Sequence, residues 1–345
     1  VTGNFTIPGV ISHNELADTA ASIAAIQLDN GMIPWFVGGH CDPWNHVETA
    51  MALDTMGMHH EARRAYEWLA DVQRTDGSWH NYYLSDGSIE DSKLDTNVCA
   101  YLAAGLWHHW LCTGDIHTVK ELWPTARAAL QWVLSMRRHD GTILWAREVD
   151  SSPWDYALLT GSCSIRHSLR CGAMVAALVD DHVDIFLRAA DDIDHVVRTN
   201  LAAFEPKERF AMDWYYPVLT GAKESAQAKA RLALHWDAFV IDKLGVRCVS
   251  DEPWVTAAET AECSLSHAAI GDFDTAIRLL QWTRPHRTTN GSYTTGLIHP
   301  EGISFPANET TAYTGAAIIL AADAIVGTSP SARLFVHGGL GNMLR

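Results

Sequence analysis

The sequence predicts an all-α fold, an (α/α)6 toroid of about six helical hairpins built as one domain from 1 to 345, with β structure confined to short hairpins in loops. Three observations lead there. A helix-pair plan recurs along the chain; the first helix of each pair is apolar nearly all round while the second carries a charged face; and no window shows sustained Val/Ile/Thr alternation.

The plan is clearest in two copies. Asp42-Pro43-Trp44-Asn45-His46-Val47-Glu48-Thr49-Ala50-Met51-Ala52-Leu53 leads to Met56-Gly57-Met58, then to the amphipathic stretch His60 to Leu69 and the turn Asp76-Gly77-Ser78-Trp79. Late in the chain, Pro253-Trp254 precedes Glu259-Thr260-Ala261-Glu262, then Ile270-Gly271-Asp272, the run Thr275 to Trp282, and Asn290-Gly291-Ser292-Tyr293. Weaker copies lie between and after them. Asp95-Thr96-Asn97 opens the apolar run Val98 to Leu111, which stops at Thr113-Gly114-Asp115, and a second helix reaches Met136. Trp154-Asp155-Tyr156 leads into a run ending near Val179, with Asp184 to Leu201 as its partner. Asp213 to Pro217 precedes a further helical stretch, and Asn308-Glu309-Thr310-Thr311-Ala312-Tyr313 opens a helix to Ile325. The Gly-Asp and Asp-Gly turns punctuate each pair, and Glu61, Arg63, Arg64, Glu67 and Asp71 mark an outer helix. An open α-solenoid is the alternative; long aromatic loops on one side favour closure.

Composition narrows the function. A formal charge of −16 argues against binding nucleic acid, whose phosphates attract Lys and Arg. The seven cysteines form no CxxC pair and lie mostly in apolar helical runs, as reduced core residues of a cytoplasmic protein would. No apolar stretch approaches a membrane span and the N-terminus lacks a signal-peptide pattern, so no membrane partner is expected. HExxH, GxSxG, P-loop and helix-opening GxGxxG patterns are absent; Gly338-Gly339-Leu340-Gly341 is a lone cluster. No metal and no organic cofactor is expected.

The residues ahead of the inner helices are often acidic: Asp42, Asp95, Asp155, Glu309, and in the fifth unit Glu252 or Glu259. Each suits a helix cap by itself, since Asp is a favoured N-cap. In a closed toroid, however, they would converge on one cavity, and aromatics accompany them. Trp35, Trp44, Trp79, Trp154, Tyr156, Trp214, Tyr215, Trp254 and Tyr293 lie in or beside those loops, and His40, Asn45 and Glu48 lie near Asp42. Flat aromatic faces beside carboxylates and amides suit sugar rings. They would equally suit a carbocation, as in terpene cyclases or prenyltransferases on the same toroid, but no DxDD motif or Asp-Cys-His zinc set is present. A non-catalytic helical repeat that binds a partner is the third reading. Glycoside hydrolysis needs one protonated and one ionised carboxyl group, and Asp42, with Glu259 or Glu262 opposite it, is the candidate set.

The stretch Asp42 to Glu48, Asp95-Thr96-Asn97 leading to Trp107-His108-His109-Trp110, and Trp154-Asp155-Tyr156 resemble the (α/α)6-barrel glycoside hydrolases of the glucoamylase type. Within that group the chain resembles mycobacterial α-(1→4)-endomannosidases. The resemblance implies hydrolysis of a partly 3-O-methylated α-mannan, without metal or cofactor and with inversion at the anomeric carbon. It implies Asp42 as one catalytic carboxylate and Glu259 or Glu262 as the other. Trp254-Val255-Thr256-Ala257-Ala258 departs from the pattern by placing alanines where a carboxylate is expected. Either Glu259 takes that role or an acidic residue has been replaced at position 257.

Overall fold

A computed structural model describes residues 5–223 and 225–335; the Gly338 to Gly341 cluster lies outside them. In chain order the helices are α1 (His13–Ala24), α2 (Pro43–Thr55), α3 (His59–Val72), α4 (Thr96–Ala100), α5 (Leu102–Thr113), α6 (Ile116–Ser135) and α7 (Leu159–Leu178). They continue as α8 (Asp184–Thr199), α9 (Ala211–Leu219), α10 (Ser225–Leu234), α11 (Trp236–Phe239), α12 (Ala257–Ala269), α13 (Phe273–Trp282) and α14 (Ala312–Val326). Two packing patterns run through them. Helices α2, α5, α7, α9, α12 and α14 each pack on the next, and α14 returns to α2. Behind them lie α3, α6, α8, α10, α13 and α1, each against its own inner partner.

Burial follows the sequence pattern. Every residue of α2 except Asn45 is buried, whereas α8 buries Phe186, Ala189, Ala190, Ile193, Val196 and Val197, a single stripe at helical spacing, with Asp194 beside it. Small residues let the inner helices approach closely. At Gly105 a Cβ would lie 2.6 Å from Val47 and 2.8 Å from Tyr66, so alanine there would force the α2 and α5 contact apart. The sixth pair joins the two ends of the chain, because α1 packs on α14. That first helix lies outside the repeat plan, but Ser12 and Glu15 form a capping box that announces it.

Two expectations need correction. The strands are more than isolated hairpins: Val240–Ile241, Gly245–Arg247, Trp254–Thr256, Thr294–Ile298 and Ile303–Thr310 form one antiparallel sheet in which each strand pairs with the next in chain order. Single-sequence periodicity misses this sheet because it joins short segments from separate loops. Its strand Trp254–Thr256 runs straight into α12, so the sheet fixes the start of an inner helix. The inner-helix caps are also less acidic than expected. Asp42 and Asp95 are N-caps, but Leu158, Thr256 and Thr311 cap α7, α12 and α14, in place of Asp155, Glu252 or Glu259, and Glu309.

No helix among the described residues is long and apolar enough to cross a membrane, and all seven cysteines are free.

Candidate active site

The site grows from the cap of α2. Asp42 holds extended backbone and Pro43 starts the helix, a position where proline's missing N–H costs no hydrogen bond. Asp42 Oδ1 accepts from the Asn45 backbone N–H at 2.9 Å; its Oδ2 accepts from Trp35 Nε1 and Asn45 Nδ2, both at 2.7 Å. Burial raises the Asp42 pKa, and these N–H donors oppose it because they favour the anion.

Two further carboxylates stand deeper. Burial first, and then the charge of Asp42, push Glu48 from 4.5 up to about 8. Glu262 of α12 is pushed well above the carboxylate range by burial and by the charge of Glu48, while the Tyr215 hydroxyl, which donates to it, works the other way. Two buried carboxyl groups that repel one another do not both ionise at neutral pH. Glu259, one turn nearer the start of α12, is only partly covered, and burial raises its pKa too. Tyr313 feels the charges of Glu259, Glu309 and Asp42 together, so it stands among the three.

A repeat register explains the arrangement. Aligned at their caps, Asp42, Asn45 and Glu48 of α2 match Thr256, Glu259 and Glu262 of α12. The sixth position after the cap is Glu48 in α2, Tyr101 after Asp95, Ser164 in α7, Tyr216 in α9 and Glu262 in α12. Tyr101 and Tyr216 both sense the charges of Glu48 and Glu262, so these positions form one polar floor. Ala257 sits at the first position of α12 and is buried, which leaves Glu259 as that helix's first carboxylate.

Aromatic rings surround the carboxylates. Trp35 meets Tyr313, Tyr82 and His40 at centroid distances of 4.9, 5.8 and 4.5 Å, and His40 Nδ1 pairs with Glu90 at 2.7 Å. Trp44 lies 5.1 Å from Tyr101 and 6.2 Å from Tyr216. Burial lifts Asp95 to about 6 against hydrogen bonds from Val98, Asn97 and Trp145. Trp145 stacks on Tyr156 at 5.5 Å and meets Trp154 edge-on, while Trp254 stacks on Phe305 at 5.0 Å. Glu309 accepts from Thr295 Oγ1 at 2.9 Å.

Three of the expected ligand-binding residues lie elsewhere, buried in the core. Trp79 is fully buried and donates to the Leu69 carbonyl, and Trp214 stacks on Phe239 and donates to the Arg231 carbonyl; both are core. Tyr293 is buried near α1, under Gly291 and Thr19. Asp155 is 84% exposed at its side chain and pairs with Arg138. Tyr215 is also buried, and its hydroxyl donates to Glu262. Tyr101 and Tyr313 were missed, although counting six residues on from the Asp95 cap would have picked out the first.

No protein-family model matches the chain. It is 43% identical over 329 residues to MMP endo-(1,4)-3-O-methyl-alpha-D-mannosidase of Mycolicibacterium hassiacum, an alignment covering 95% of this chain and 91% of that protein. The chain belongs to this endomannosidase family. Its fold is shared with a wild-type glycosidase (TM-score 0.73, 14% identity, 94% of this chain and 97% of that one). It is shared also with the GH63 mannosylglycerate hydrolase of Thermus thermophilus (TM-score 0.70, 11% identity, 88% and 99%). As an endomannosidase-family member the chain is a glycoside hydrolase, and the carbocation and non-catalytic readings are set aside.

Proposed function

We propose that this protein is an inverting, endo-acting α-(1→4)-mannosidase of methylmannose polysaccharide or related α-mannan oligosaccharides, working in the cytoplasm on an (α/α)6 toroid. The observation that carries the mechanism is the set of three N–H donors on Asp42, beside carboxyl groups whose pKa burial raises. A carboxylate that already accepts three N–H bonds serves best as an anion, so Asp42 is assigned as general base. Glu259, partly exposed and raised by burial, is assigned as general acid.

In this scheme Glu259 gives its proton to the glycosidic oxygen as the C–O bond breaks. Water attacks the anomeric carbon from the opposite face and loses its proton to Asp42. Glu48 and Glu262 stay behind the reacting groups, where they keep the floor polar without carrying two charges. Trp35, Trp44 and Tyr313 supply faces for sugar rings, and methyl ethers suit such an apolar lining. The free cysteines fit a reducing compartment.

The test is digestion of α-(1→4)-linked 3-O-methylmannose oligosaccharides with product sizing and NMR of the first anomer released. Internal cleavage with a β-anomer first supports the proposal. Absence of cleavage overturns the activity, and an α-anomer overturns the inverting mechanism.

A further inference from the structure

A cavity of about 390 Å³ lies between α1, the loop after Trp35 and the start of α14. That size falls within the range of small-molecule sites, about 300–1,000 Å³. Chain neighbours of the two aromatic residues beside Asp42 form part of its wall. Trp35, which donates to Asp42, is followed by Phe36 and Val37 on the cavity wall; Tyr313, which meets Trp35 edge-on, is preceded by Thr311 and Ala312 on the same wall. The Trp35 carbonyl accepts from the Ala312 N–H at 2.7 Å, so the two walls are tied together.

The lining describes its occupant. It contains no Lys or Arg, and its one charged residue, Asp18, is occupied by Arg287 at 3.1 Å. The rest combines hydroxyl and amide groups, such as Ser22, Thr310 and Asn290, with apolar surface from Phe36, Val37 and Ile26. A neutral polyol bearing apolar substituents satisfies both. Val37 is 81% exposed, a high value for a large apolar side chain. Phe36 beside it is held against Gly39, where a Cβ would approach its ring to 2.7 Å. A fixed ring with a projecting isopropyl group is a surface for a methyl ether.

Resting on the mannosidase reading above, we infer that this cavity is a distal saccharide subsite, and that Phe36 and Val37 select mannosyl units whose 3-hydroxyl is methylated. Val37→Ser removes apolar contact and offers a hydroxyl without touching Asp42 or its donors. Rates are compared on two α-(1→4)-mannan oligosaccharides of equal length, one 3-O-methylated and one not, with Ile185→Ser on the outer helix α8 as a control for a lost exposed apolar side chain.

One buried methyl group corresponds to about a fourfold to tenfold effect. The expected result is that the methylated-to-unmethylated ratio of kcat/KM falls by that factor in Val37→Ser, through KM, and stays unchanged in Ile185→Ser. An unchanged ratio in Val37→Ser, with the wild type active on the methylated substrate, overturns the subsite alone. A wild type inactive on both substrates overturns the mannosidase reading and the subsite with it.

Discussion

The two ends of the inner helices carry opposite chemistry. At their N-terminal ends, Asp42, Glu48, Glu259 and Glu262 are held among N–H and O–H donors and aromatic rings, and the groups that shift them include no Lys or Arg. At the C-terminal ends, buried Asp54 accepts from His109 Nδ1 and His59 Nδ1, each at 2.9 Å, and Asp272 accepts from His267 Nδ1 at 2.9 Å. The difference separates stability from function. Carboxylates paired with histidines at one end hold helices together, while at the other end burial raises the pKa of carboxyl groups that have no cationic partner among the groups that shift them.

Substitution at the catalytic end should give the largest effect. Asp42→Asn is expected to lower hydrolysis at least a hundredfold with the fold intact by circular dichroism, given acid/base contributions of about 10² to 10⁴. Glu259→Gln should cost a similar factor on a mannan. It should cost clearly less on an aryl mannoside, whose leaving group needs no proton; equal losses on both substrates would remove Glu259 as the acid.

The opposite end should answer in stability. Burial works to raise the Asp54 pKa, but hydrogen bonds from His109 and His59 outweigh it and hold the group below its ordinary value. Such a group stabilises the fold above its unfolded pKa and loses that contribution as pH falls through the folded value. Asp54→Asn should therefore destabilise by about 3–5 kcal/mol in chemical denaturation near neutral pH. Activity per folded molecule should be retained; a loss of activity matching Asp42→Asn would erase the division between the two ends.

The smallest effect has the reverse sign. Glu48 rises from 4.5 to about 8 through burial and the charge of Asp42, so its favourable contribution is complete below pH 4.5 and declines as pH rises to about 8. Glu48→Gln should flatten the fall of Tm across that window. A slope identical to the wild type's would mean that Glu48 ionises freely in the folded protein.

Much of this contrast was legible before folding. Asp42 and Pro43 announce a capped helix locally, and Asn45 and Glu48 follow at helical spacing, so one side of the site could be read from a dozen residues. The pairing of Glu48 with Glu262 could not. It joins residues more than two hundred positions apart, and only the register shared by α2 and α12 brings them to one floor. Asp155 shows the converse: an Asp beside a Trp near an inner helix looks like its cap, yet Leu158 caps α7 and Asp155 pairs with Arg138.

The sequence by itself determined the helix pairs, their turns, their inner or outer character and the Asp42 cap, because those depend on propensity, periodicity and hydrogen bonds within one turn. Only the tertiary structure decided which aromatics meet a ligand. Trp35 and Trp79 both follow helical segments and both sit beside inner helices, but one indole turns to Asp42 and the other to the Leu69 carbonyl in the core. The direction of an indole depends on which distant groups remain unpaired when the helices close around it.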